Sequence, residues 1–130
     1  MIRYEKLNMD FFISIFPEFE EEVHNEVEGL GEFLPHCVFA NVLNPKVIEL
    51  LKRDDYLENE LLHRIFEMYE DFAVRGDEET QNLLQVSLLE NLWDEKITYD
   101  RSLEIMGIGT KEIWDYIHNY ILIPGENVKR

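Results

Sequence analysis

The stretch DYLENELLHRIFEMYEDFAVRGDEETQNLLQVSLLENLWD, residues 55–94, decides the fold. In its first half Leu57, Leu61, Ile65, Met68 and Phe72 recur at steps of three and four, with Leu62, Phe66, Tyr69 and Ala73 beside them. Glu60, Arg64, Glu67, Asp71 and Arg75 fall on the opposite side. That spacing follows the turn of an α-helix with one wet face and one dry face, ending at Arg75. Asp54 or Asp55 is the expected cap, with Glu58 three residues after Asp55 in a capping-box position. Gly76-Asp77 leaves about two residues to reverse the chain, so the helix expected over 78–94 becomes an antiparallel neighbour. Its middle, from Leu83 to Trp93, is apolar on most sides, and such a helix belongs at the centre of a fold.

The flanks carry the same punctuation. Asn8 is a cap for a helix over 9–16, Pro17 suits the first position of one running to about Glu28, and Gly29-Leu30-Gly31 ends it. Leu34-Pro35 opens a helix through Val42, and Asn44-Pro45 reads as a cap and first-position proline for a separate one ending near Arg53. Thr98 and Thr110 are the expected caps of two last helices, over 99–106 and 111–122, with Gly107-Ile108-Gly109 between them. No stretch alternates as a strand does, and no repeat period suggests a solenoid. The sequence therefore predicts an all-α domain over 1–125, an array of about seven or eight helices round the 55–94 hairpin, with a disordered tail at 126–130.

Composition narrows the function. The 130 residues carry 28 acids against 12 Lys and Arg, a formal charge of -16. Direct binding to nucleic acid is disfavoured, because its affinity comes from Lys and Arg neutralising phosphates, and an anionic membrane is disfavoured for the same reason. The longest uncharged stretch, Phe33 to Pro45, has thirteen residues. A bilayer span needs roughly 20 apolar ones. The apolar run from Phe11 to Phe16 is too short for a signal peptide, so a soluble protein is expected. Cys37 is the only cysteine, which rules out an intrachain disulfide and a thiolate metal cluster and makes a cytoplasmic home the default.

Chemistry-bearing residues are few. Glu21 with His24 and Glu60 with His63 have the Glu-x-x-His spacing of di-iron bundles, which would make the chain a helical metal-dependent enzyme. Glu20, Glu21 and Glu22 are consecutive, however, which keeps that helix wet, whereas a di-iron ligand must face a dry bundle. Cys37 lies in the apolar run Cys37-Val38-Phe39-Ala40 and reads as a packing residue. Ser14, Ser87 and Ser102 fall inside helices, away from any strand-turn-helix elbow, and Ser87 is expected to bond back to its own helix. Arg75-Gly76-Asp77 spells an adhesion tripeptide but has the chemistry of a helix-to-helix turn. No catalytic residue, metal ligand or cofactor site is therefore assigned. A helical adaptor holding a peptide in an apolar groove is a further alternative.

Charge distribution stands above this background. Between Lys6 and Lys46 lie 39 residues without a Lys or Arg and with eight acids. Glu18, Glu21, Glu22 and Glu28 recur at helical spacing, so one face is expected to present several carboxylates without local counter-ions. Such a face can be a solvated surface, or it can steer a basic partner.

Gly31-Glu-Phe-Leu-Pro-His-Cys-Val-Phe39, Val86-Ser-Leu-Leu-Glu-Asn-Leu92 and Met106-Gly-Ile-Gly-Thr-Lys-Glu-Ile-Trp114 together resemble small, acidic, all-helical bacterial proteins that include immunity proteins of contact-dependent and polymorphic toxin systems. The resemblance spans roughly residues 10 to 120, mostly core and turn positions. It implies a cytoplasmic, non-enzymatic inhibitor, monomeric in a 1:1 complex, that neutralises a cognate toxin domain, often a nuclease with a basic active site. The partner-binding residues expected on that basis are Glu18, Glu21, Glu22, Glu28 and Glu32, flanked by Asp10.

Overall fold

The computed structural model describes residues 1–119 and is all-α. Seven helices follow one another: α1 Met9–Ile15, α2 Glu20–Leu30, α3 Pro35–Leu51, α4 Glu60–Arg75, α5 Glu78–Asn82, α6 Lys96–Ile105 and α7 Ile108–His118. Between α5 and α6 the chain continues as a π-helical segment, Leu83–Leu89, and a 3-10 turn, Glu90–Trp93. Single 3-10 turns lie at Tyr4–Lys6, Pro17–Phe19 and Tyr56–Glu58. The expected end of the last helix at 122 and the tail at 126–130 lie outside the described residues. Among the described residues no helix is long and apolar enough to cross a membrane.

The expected centre is the centre. Leu83, Leu84, Leu88, Leu89 and Leu92 are completely buried, walled in by α3, α4 and α7. On α4 the dry face consists of Leu62, Ile65, Phe66, Met68, Tyr69, Phe72 and Ala73. Phe12 packs edge-on to Phe39 with ring centres 4.9 Å apart, and Phe39 lies 5.9 Å from Phe72, so aromatic contact joins α1, α3 and α4.

Several boundaries differ from the sequence expectations. Asn44-Pro45 does not separate two helices: α3 runs through it without a break. An interior proline costs about 3 kcal/mol. Here a single helix buries Val38, Phe39, Leu43, Val47, Leu50 and Leu51 along one side while Pro45 stays exposed. Asn44 is not a cap either, since its Nδ2 donates to the carbonyl of Ser87 at 2.8 Å. The cap of α4 is Asn59, whose Oδ1 accepts from the N–H of Leu62 at 2.9 Å. Asp55 is engaged by Arg53 at 2.8 Å, and Leu57 is left 49% exposed. Pro17 opens a 3-10 turn rather than α2 itself, which ends as expected, at Gly31 in the left-handed region with φ 88°.

Neither threonine expected as a cap begins a helix. Thr98 is buried inside α6 and its Oγ1 donates to the carbonyls of Leu92 and Glu95 at 2.9 and 3.0 Å. The cap of α7 comes from α4: Glu70 accepts from the N–H of Gly109 (2.8 Å), the N–H of Thr110 (2.9 Å) and the Oγ1 of Thr110 (2.8 Å). A carboxylate facing a helix N-terminus satisfies orphan donors and meets the positive end of the helix dipole. The approach requires glycine at 107, where a Cβ would come within 2.4 Å of Glu70.

Two tests follow from this packing. Leu88→Ala should lower stability by about 2–5 kcal/mol in chemical denaturation, whereas Leu61→Ala, at a half-buried site, should cost clearly less. Loss below roughly 1 kcal/mol for Leu88→Ala would mean the centre lies elsewhere. The second test is pH. Burial pushes the Glu70 carboxyl up, but its three hydrogen bonds outweigh this and hold it below the ordinary glutamate value. Because the folded pKa lies below the unfolded one, the contribution is complete above about pH 4.3 and is lost as pH falls through the folded value. Glu70→Gln should therefore flatten the acid-side decline of the urea midpoint, and an unchanged decline would remove Glu70 as a titrating latch.

Candidate functional site

The 39-residue stretch without Lys or Arg builds α1, α2 and the first turns of α3. α2 rests on the core through Val23, its one fully buried residue, supported by Val27 and Leu30. The remaining positions face outward, and the acids divide into two rows. Glu21 and Glu28 share the outer crest with His24, at steps of three, four and seven, and Glu20 stands beside His24, while Glu22 and Glu26, four apart, turn with Asn25 towards α3. Glu32 is exposed just beyond Gly31, and Asp10 is exposed in the first turn of α1.

Glu22 and Glu26 form one wall of an open groove of about 350 Å³ between α2 and α3. Its apolar lining is Phe19, Val42 and Pro45, and Glu49 on α3 supplies a carboxylate opposite. The Asn41 side-chain amide, on α3, donates across the groove to Glu26. Lys46, the one cation among the lining residues, pairs with Glu49 at 3.2 Å. Pro45 has no N–H to offer the carbonyl of Asn41, so the same wall carries a main-chain acceptor without its usual helical donor.

Glu18 corrects the expectation of carboxylates free of counter-ions. It sits in the Pro17–Phe19 turn, outside α2, and its Oε1 accepts from Arg64 Nη1 at 2.8 Å. Arg64 also donates to Glu60 at 2.6 and 3.1 Å and to the carbonyl of Ile15 at 3.2 Å, and its guanidinium lies over the ring of Phe16. The hydrogen bond from Arg64 lowers the carboxyl pKa of both Glu18 and Glu60. This clasp ties the end of α1 to α4 and uses Glu18 as structure.

The Glu-x-x-His pairs do not converge. Glu60 is held by Arg64, and His63 Nε2 faces the carbonyl of Leu57 at 2.5 Å. His24 lies 3.7 Å from Glu20 on the exposed crest of α2. Among the described residues no three His, Cys, Asp or Glu are grouped so that they could hold a metal ion. Ser87 does not bond back to its own helix as expected: its Oγ lies 2.5 Å from Nδ1 of His36. In the Arg75-Gly76-Asp77 turn the aspartate is occupied, accepting from the N–H groups of Thr80 and Tyr4 at 3.0 Å each.

Sequence reasoning found Glu22 and missed Glu26, Asn41 and Glu49. The i,i+4 spacing of Glu22 and Glu26 was a signal for the first wall. Nothing local announces that α3 brings Asn41 and Glu49 opposite.

A family model described as a domain of unknown function, DUF7674, matches residues 9–120. The chain belongs to that family. The match runs from the first residue of α1 past the end of α7, so it takes in both walls of the groove. No curated protein and no solved structure matches the chain.

The two classes of carboxylate should separate by mutation. Glu18→Lys places a cation against Arg64 and should destabilise by about 1 kcal/mol, the upper end for an exposed ion pair. Glu21→Lys and Glu28→Lys remove like-charge repulsion on α2 and should leave stability within about 0.5 kcal/mol of the parent. Thermal melts of the three single variants check this. Equal losses at all three would make the α2 crest part of the fold's own electrostatics.

Proposed function

We propose that this chain is an immunity protein, a non-enzymatic inhibitor that acts in the cytoplasm and binds one copy of a cognate basic toxin domain of ribonuclease type. The observation that carries the reading is a group of exposed carboxylates on and beside α2 that have no cationic partner nearby in the sequence. Glu18, Glu60, Glu70 and Asp77 are each committed to a named internal partner. Glu21, Glu22, Glu28 and Glu32 face solvent on a segment that contains no Lys or Arg. Holding like charges together costs a few tenths of a kcal/mol per pair; Glu21 and Glu22, in the first turn of α2, recover part of this from the helix dipole, whereas Glu28, near the other end, and Glu32, beyond it, do not. An uncompensated acidic face raises the rate of encounter with a basic surface and selects against acidic ones. Seated over a nuclease active site, such carboxylates would compete with the phosphate backbone for the same Arg and Lys side chains.

The test takes as partner a basic ribonuclease-type domain sought among the products of the neighbouring genes, and finding none there would itself count against the reading. Glu21, Glu22 and Glu28 are reversed to lysine together, with Glu18 kept because it serves the fold. Association should slow by about tenfold or more at low salt, and the parent rate should fall steeply as added salt shortens the screening length to about 8–10 Å. Growth protection in cells expressing the toxin should be lost in parallel. A triple variant that associates as fast as the parent, and protects as well, would contradict the reading.

A further inference from the structure

We propose that the α2–α3 groove is the seat of one arginine side chain presented by the partner protein. The inference rests on the reading above for the existence of a basic partner and adds the place and chemistry of its anchor. At about 350 Å³ the groove stands near the low end of the roughly 300–1,000 Å³ range of ligand sites, a size suited to an inserted side chain. Its chemistry is one-sided. Glu22 and Glu26 line one wall, Glu49 stands on the other, and a single lysine, already paired with Glu49, is the only positive charge in the lining. Phe19, Val42 and Pro45 offer a surface on which the stem and the flat face of a guanidinium can lie, which carboxylates alone would not provide.

The lining favours arginine over lysine because an aromatic ring and a proline face stand beside its carboxylates. A guanidinium has five donors fixed in a plane and can stack on such faces while donating to a carboxylate, whereas an ammonium is a compact point charge that desolvates at greater cost. The Asn41 amide already donates across the gap to Glu26, which holds that carboxylate in the space between the two helices. An entering guanidinium takes over that carboxylate with charge-assisted hydrogen bonds, about twice as strong as neutral ones. Such an anchor, lying on an apolar floor with a carboxylate rim and covered by the partner on binding, has the character of an interface hot spot.

Three capped pentapeptides, Gly-Gly-Xaa-Gly-Gly with Xaa as arginine, lysine or citrulline, are titrated into the ¹⁵N-labelled full chain at low salt. With the arginine peptide, the amides of Glu22, Glu26, Asn41 and Val42 are expected to shift along one saturating curve. The lysine peptide should bind at least about threefold more weakly, and the neutral citrulline peptide should leave those amides unmoved. Glu22→Gln and Glu26→Gln, both substitutions at the surface, should each weaken the arginine peptide by about tenfold, and unchanged spectra elsewhere would show that the fold is intact. Shifts spread along Glu20, Glu21 and Glu28, unsaturated and equal for arginine and lysine, would overturn the groove while leaving an attractive acidic face. No shift at any α2 residue with either cationic peptide would overturn the groove and count against the electrostatic reading as well.

Discussion

Everything in this fold is arranged around one buried run of leucines. Leu83, Leu84, Leu88, Leu89 and Leu92 have no exposed surface, and a segment apolar on so many sides is stable only when other helices cover it. α3, α4 and α7 do so. The backbone of that run is not a plain α-helix. It widens into π geometry over Leu83–Leu89, and in the last turn of that segment the Ser87 carbonyl accepts from Asn44 while the Ser87 hydroxyl meets His36. Both partners stand on α3, so the helix that supplies much of the core also supplies polar partners for the central segment. The same demand explains why α3 passes through Pro45 without a break. Stopping there would split the buried side that runs from Val38 to Leu51.

The sequence was most legible where a signal is local and periodic. The wet and dry faces of α4, the Gly76-Asp77 reversal, the Asn8 cap, the first-position proline of α3 and the burial of the leucines at 83, 84, 88, 89 and 92 all follow from spacing within a few turns. Legibility failed where a residue's partner is distant. Thr110 looks like a cap in the sequence, but the atom that satisfies the start of α7 belongs to Glu70, 40 residues earlier. Asn44 and Pro45 together spell a helix start, yet Asn44 is spent on Ser87, 43 residues later. Glu18 reads as a free surface charge only until Arg64, 46 residues on, is found beside it. In each case a short polar side chain has a local use and a long-range use, and tertiary packing decides between them.

That sorting also separates structure from surplus. Carboxylates at 18, 60, 70 and 77 have internal work to do: Glu18 and Glu60 share Arg64, and Glu70 and Asp77 each accept from main-chain N–H groups. On α2 Glu26 is bonded by Asn41 of α3, whereas Glu21 and Glu28 stand exposed on the crest, and α2 meets the core through buried Val23 and half-buried Val27 and Leu30. A buried centre and an exposed acidic wall beside a groove form the division of labour that the proposed function requires. It also accounts for the charge of -16 without asking the fold to benefit from it.

Native-state hydrogen exchange tests that division most directly. If the leucine run is the keystone, the amides of residues 83–93 should exchange only through global unfolding, with protection matching the stability measured by denaturation. The amides of α2 should exchange at least about tenfold faster, through local opening. Protection of α2 equal to that of residues 83–93, or faster exchange in the leucine run than in α2, would contradict the account.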